Sequence, residues 1–161
     1  MCGDKITMIT QITDLLYVGD GQDATLYHSD YDMVVTIAEQ TPYRGDIQFN
    51  IVDDAIESNK NLFRAAIITV NFLVRQGLKT LVHCNNGMSR SVAVCVGHVV
   101  CTQLKDVDIV IAEIKKVRPH IDIHPYFTKL LKTSRQDMLW IKKRIRQKDL
   151  SVDDEDNSEK L

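Results

Sequence analysis

The chain has little of what builds extended or flexible proteins. Seven Gly and three Pro in 161 residues exclude collagen-like, elastic and Pro-rich disordered classes. Aromatics make up only 6%, with a single Trp. No apolar run approaches the roughly 18 residues that suggest a membrane span. The four cysteines, Cys2, Cys84, Cys95 and Cys101, are too few for a disulfide scaffold at this length. Met1–Thr10 also lacks a basic stretch followed by an apolar core. Reduced thiols in a cytoplasmic setting are therefore expected, with nuclear access left open. The five His are scattered and no Cys-x-x-Cys occurs, so no metal site is expected.

What remains is ordinary for a soluble globular protein: 44% hydrophobic and 26% charged residues, in a length that suits one domain. The net charge of −2 hides an uneven distribution. Residues 129–148 carry eight Lys/Arg against Asp137, and residues 149–161 carry six acids against Lys160. The basic run reads as a solvated helix face. The acidic run has too few large apolar side chains to fold alone. One domain over residues 1–148 and an acidic tail over 149–161 are the expected division.

Apolar runs bounded by turn residues predict strands near Leu15–Gly19, Met33–Ala38, Ile47–Val52 and Thr80–His83, with a short edge at Ile9–Ile12. Met33–Ile37 is apolar and β-branched on both faces, as a central parallel strand requires. Phe63, Ala66, Ile67, Val70, Leu73 and Val74 recur at helical spacing. Ser58 or Asn59 would cap this helix, and Gly77 would end it. Helix between strands implies a crossover and a parallel pair. Ser91–Cys101 is nearly all small and apolar and fits a helix buried on most sides. Asp106 would cap a cleaner helix ending at Arg118-Pro119. Residues 125–148 read as one or two more helices. The order implies an α/β fold: a mostly parallel central sheet of about five strands, flanked by helices.

Ligands of such sheets bind at the carboxyl ends of the strands. His83-Cys84 stands at one, followed by Asn85-Asn86-Gly87-Met88-Ser89-Arg90-Ser91. A loop of this length can curl so that successive amides point at one anion. The helix beginning near Ser89 adds its N-terminal amides and dipole. Gly87 permits a turn that a side chain would obstruct, and Arg90 offers a fork for two phosphate oxygens. Cysteines in such electropositive bowls ionise readily, so the loop makes both an anion site and a nucleophile.

His83-Cys84-Asn85-Asn86-Gly87-Met88-Ser89-Arg90-Ser91 resembles the phosphate-binding loop of cysteine-dependent protein tyrosine phosphatases. Its Ser-Arg-Ser ending resembles the dual-specificity group most closely. The resemblance runs from about Ile9 to Leu131: Ile12–Asp20 is similar to the family's opening strands, Phe49–Asp54 to the segment ending in the general acid, and Arg118–Leu131 to the closing helical segment. It implies that Cys84 is the nucleophile, Arg90 the phosphate clamp and Ser91 the hydroxyl that assists thiolate departure. It implies Asp54, rather than Asp53, as the general acid. Asn85, Asn86, Gly87, Met88 and Ser89 would bind the phosphoryl group with Arg90. His83 would orient the loop from behind, and His124, standing where the family often has Asn, would support it.

The implied activity is hydrolysis of phosphotyrosine, with phosphoserine and phosphothreonine, through a phosphocysteine intermediate. Neither a cofactor nor a metal is implied. The expected molecule is a monomer acting on phosphorylated protein, without membrane association and without nucleic acid. Other classes share the loop or its anion-binding ability. They include RNA 5′-triphosphatases, which the basic run keeps open, and non-catalytic phosphoprotein-binding modules. An inositide phosphatase would favour basic loop residues, where Asn85, Asn86 and Met88 are neutral.

Overall fold

The computed structural model describes residues 9–133. The basic run beyond Thr133 and the acidic tail lie outside the described residues. Five strands form one sheet: β1 (Thr10–Gln11), β2 (Leu16–Gly19), β3 (Met33–Ile37), β4 (Ile47–Phe49) and β5 (Thr80–His83). Their order is β1-β2-β5-β3-β4, with β1 antiparallel to β2 and every other pair parallel. The five helices are α1 (Gly21–Tyr27), α2 (Asn59–Arg75), α3 (Arg90–Gln103), α4 (Val107–Val117) and α5 (Pro125–Thr133). Among them none is long and apolar enough to cross a membrane.

Apolar β-branched strands set the centre. β5 is buried at every position, and β3 is buried from Val34 to Ile37. The crossover through α2 joins parallel strands, as its pattern predicts, but β3 lies between β4 and β5. β4 ends at Phe49 rather than Val52, because the chain leaves the sheet there to form the turn at Asp53–Asp54.

α3 is the hub. All of Ser91–Cys101 is buried, because α3 packs on α2, α4 and α5 and on strands β2, β3 and β5. Gly97 lets α2 approach: a Cβ there would lie 2.4 Å from Ile67 Cδ1. α4 is capped as its sequence predicts, the Asp106 carboxylate accepting from Asp108 N. Ser58 makes no cap on α2. α1 carries a signal that hydrophobic periodicity does not show, a reciprocal capping box. The Asp20 carboxylate accepts from Asp23 N at 2.7 Å, and that of Asp23 accepts from Asp20 N at 3.0 Å.

Candidate active site

The carboxyl end of β5 runs into the loop Cys84–Ser89, which ends where α3 begins. Peptide planarity decides which way this loop faces: a carbonyl drawn outward turns the next residue's N–H inward. Four of its carbonyls are drawn outward. Cys84 O accepts from His83 Nδ1 (3.3 Å), Asn85 O from Gly21 N (3.0 Å), Gly87 O from Arg118 Nε (2.8 Å) and Met88 O from Asp122 N (3.0 Å). The N–H groups of Asn85, Asn86, Met88 and Ser89 are thereby turned to the concave side. Gly87 adopts φ +64° to make the bend. Such a nest of amides, opening on a helix N-terminus, is built for an anion.

Cys84 sits in the floor, 2% exposed. Its Sγ lies 3.1 Å from Ser91 Oγ, in the first turn of α3. Arg90 leans the other way, Nη1 donating to Ile51 O at 2.9 Å, so its guanidinium bridges the loop and the segment after β4. His83 is buried behind the loop. Gly45 N donates to Thr36 Oγ1 (2.8 Å), and Thr36 Oγ1 lies 2.7 Å from His83 Nε2. With Nδ1–H spent on Cys84 O, Nε2 is left as acceptor of the Thr36 hydroxyl. Burial pushes the His83 pKa down to about 4, so the ring is neutral and holds the Cys84 carbonyl from behind the loop.

The two carboxylates at the rim separate sharply. Ser89 Oγ donates to Asp53 Oδ1 at 2.6 Å. Asp54 Oδ1 accepts instead from the next backbone amide, Ala55 N, at 2.7 Å. The expectation that Asp54 faces the loop is therefore corrected: the carboxylate seated there is Asp53. Asn59, buried at the start of α2, explains the register. Its Nδ2 donates to both Val52 O and Asp54 O, each at 2.8 Å. The flanking carbonyls are pulled toward α2, and the side chain between them points away from it, onto Ser89.

His124 also departs from expectation. Its imidazole does not support the loop. Nδ1 accepts from Tyr126 N at 3.1 Å and caps α5, where Pro125 takes the first helical position. The support comes from its backbone: His124 N donates to Ser89 Oγ at 2.9 Å. Ser89 thus accepts from one segment and donates to another, which is why it leaves the N-terminus of α3 uncapped.

Sequence patterning gives Arg118 only as the end of the helix that Asp106 begins. It is 1% exposed. Besides Gly87 O it reaches Thr10 Oγ1 on β1 at 2.9 Å. Burial lowers its pKa, while the charges of Asp23, Cys84, Cys95 and Asp20 oppose that shift. A Cβ on Gly87 would lie 2.5 Å from Arg118 Nη2 and 2.8 Å from Gly19 O. The glycine is needed for space as well as for conformation.

Residues 16–137 match the dual specificity phosphatase catalytic domain. The chain belongs to that family. It is a phosphatase domain of the cysteine-based type, with phosphorylated molecules as its substrates. Its fold is similar to that of DUSP15 (TM-score 0.76, 22% identity, covering 86% of this chain and 95% of that one). It is similar to human DUSP28 (0.72, 21%, covering 83% and 97%). The Orf virus tyrosine phosphatase OH1, described as having triple substrate specificity, is a more distant likeness (0.64, 21%, covering 76% and 83%). No curated protein matches the chain.

Proposed function

We propose that the protein hydrolyses phosphotyrosine, and with it phosphoserine and phosphothreonine, on protein substrates through a phosphocysteine intermediate. The observation that carries this reading is the loop itself: four carbonyls drawn outward around a buried thiol, with a hydroxyl 3.1 Å from its sulfur. The Cys84 thiolate attacks phosphorus in line, forming the S–P bond as the P–O bond to the leaving group breaks. Inward amides from Asn85 to Ser89 and the Arg90 fork hold the equatorial oxygens, where charge persists throughout the transfer. Asp53 donates a proton to the leaving oxygen. As carboxylate it then takes a proton from the water that attacks the phosphocysteine. Ser91 Oγ donates to the departing sulfur. The adjacent Asp54 is left as a surface carboxylate. The chemistry calls on no cofactor. This reading assigns the enzyme to a reducing, cytoplasmic setting, where a nucleophilic thiol is kept reduced.

Turnover of para-nitrophenyl phosphate in the presence of a chelator tests this. The native chain should hydrolyse it. Cys84→Ser should not, while still binding inorganic phosphate or vanadate, because the amides and Arg90 remain. Full activity in Cys84→Ser would overturn the mechanism.

A further inference from the structure

The central strand β3 carries one polar side chain, Thr36, among Met33, Val34, Val35 and Ile37. Thr36 is fully buried. Valine has the same shape and suits a strand as well, and a buried hydroxyl costs stability unless it is hydrogen-bonded. Its place in the sheet decides what it meets. β3 and β5 run parallel with Thr36 paired to His83, so the two side chains project from the same face.

The segment before β4 closes on the same hydroxyl. Asp46 N donates to Val34 O at 2.9 Å, and Val34 N donates to Asp46 Oδ2 at 2.8 Å. That clamp sets Gly45 N against Thr36 Oγ1, to which it donates at 2.8 Å. A Cβ on Gly45 would collide with Val34 O, so the approach needs glycine.

The proton positions along this chain are fixed from its two ends. Gly45 N–H can only donate, and Cys84 O can only accept. His83 Nδ1, 3.3 Å from Cys84 O, therefore carries the hydrogen, which leaves a neutral ring with a lone pair at Nε2. The Thr36 hydroxyl has one hydrogen and gives it to Nε2 across 2.7 Å. The bonds then run head to tail from Gly45 N to Cys84 O. A doubly protonated ring would break the middle one. Burial disfavours that form, outweighing the Cys84 carbonyl and the charges of Asp20 and Asp23, which favour it.

We propose that Thr36 is a positioning residue for the phosphate nest: its hydroxyl holds His83 in the Nδ1–H tautomer, which keeps the Cys84 carbonyl outward and the Asn85 N–H turned to the anion. The proposal deepens the phosphatase reading above and rests on it for its activity readout. Thr36 acts through His83 and the nest alone, so its loss should weaken the grip on phosphoryl oxygens and leave the acid step as it is.

The test uses the full chain. In the native chain, nitrogen NMR of His83 should show the proton on Nδ1 and an acceptor at Nε2. Thr36→Val keeps the shape and removes the hydroxyl. Its affinity for inorganic phosphate should fall about tenfold, and kcat/KM for para-nitrophenyl phosphate with it, as an unpaired buried acceptor implies. The ratio of phenyl to para-nitrophenyl phosphate turnover should stay native. Thr36→Ser keeps the hydroxyl and should recover most of both losses. A role in packing alone predicts the opposite order, because serine leaves a gap that valine fills. A proton on Nε2 in the native chain would overturn the proposal, and that measurement needs no variant to fold. Phosphate affinity unchanged in Thr36→Val, or lost equally in Thr36→Ser, would overturn it too. If the native chain binds phosphate but hydrolyses no ester, the phosphatase reading fails, while the tautomer and the phosphate affinities still decide the role of Thr36.

Discussion

The floor of the site and its acid-bearing rim face each other but are held in opposite ways. The floor is overdetermined. β5, Cys84 and Ser91 are buried, and the loop carbonyls are gripped from β5, α1, α4's end and the segment before α5. On the rim, every residue from Asp53 to Ser58 is exposed. It hangs on Asn59, on the Asp53–Ser89 bond and on Tyr126 Oη donating to Ile56 O at 3.1 Å. The difference matches the chemistry. A nucleophile and an anion nest must be preorganised before the phosphoryl group arrives. A proton donor must reach leaving groups of different sizes and then turn to a water.

The largest effect should come from the rim. Asp53→Asn should slow phenyl phosphate by about 10²–10⁴-fold, as loss of general acid help does. It should slow an ester with a good leaving group, such as difluorinated umbelliferyl phosphate, much less. Asp54→Asn should do neither. If Asp54→Asn gives the leaving-group-dependent loss instead, the seat on Ser89 is structural and the pattern-based assignment was right.

Next comes Arg118→Met, which strikes the floor from behind. It removes a buried charge that interacts with Asp20 and Asp23 and releases Gly87 O and Thr10 Oγ1. A loss of about 1–3 kcal/mol in urea unfolding is expected, the cost of leaving a buried hydrogen-bond acceptor unsatisfied. Stability unchanged from the native chain would show that the floor does not depend on this strut. Gly87→Ala attacks the same bend directly. It should cut kcat by about 10²–10³-fold, comparable to removing an oxyanion donor. The leaving-group dependence should stay as in the native chain, because the acid is untouched.

The smallest effect concerns the packing beneath the floor, where His98 on α3 and Asn71 on α2 form a buried hydrogen-bonded pair. Burial lowers the His98 pKa to about 4, as it does for His83. Between the ordinary value of 6.5 and about 4, the unfolded chain binds a proton that the folded chain refuses. Stability contributed by each neutral ring is thus present above pH 6.5 and lost as the pH falls toward 4, by up to about 3 kcal/mol per group. Replacing both partners, Asn71→Leu with His98→Leu, should be nearly neutral at pH 7. It should reduce the loss of thermal stability on acidification, leaving the part due to His83. An unchanged acid slope would show that His98 is already protonated in the folded chain.

The parts legible in the sequence are those with local physics. Strands β2, β3 and β5 follow from β-branched runs, α2 and α4 from apolar periodicity, and the nest from a strand, a Gly-bearing loop and a helix in succession. Three features were not legible because they arise only when distant segments meet. Arg118 reads only as the end of a helix, and its role depends on β1 and the loop meeting its guanidinium. The Asp53–Asp54 register is decided by Asn59, which reads as a helix cap but spends its amide on the preceding turn. His124 occupies the place of a supporting side chain, yet it supports the loop with its amide and caps α5 with its ring. The strand order likewise depends on where β3 inserts, which the pattern of β4, α2 and β5 does not encode.

The covalent intermediate is the most direct test of the whole account. Mixing the native chain with para-nitrophenyl phosphate and quenching in acid within the first turnovers should trap one phosphoryl group per molecule. Peptide mapping should place it on Cys84, and Asp53→Asn, slowed in the second step, should accumulate more of it from an activated ester. Product release with no protein-bound phosphate, or label on a residue other than Cys84, would contradict the mechanism.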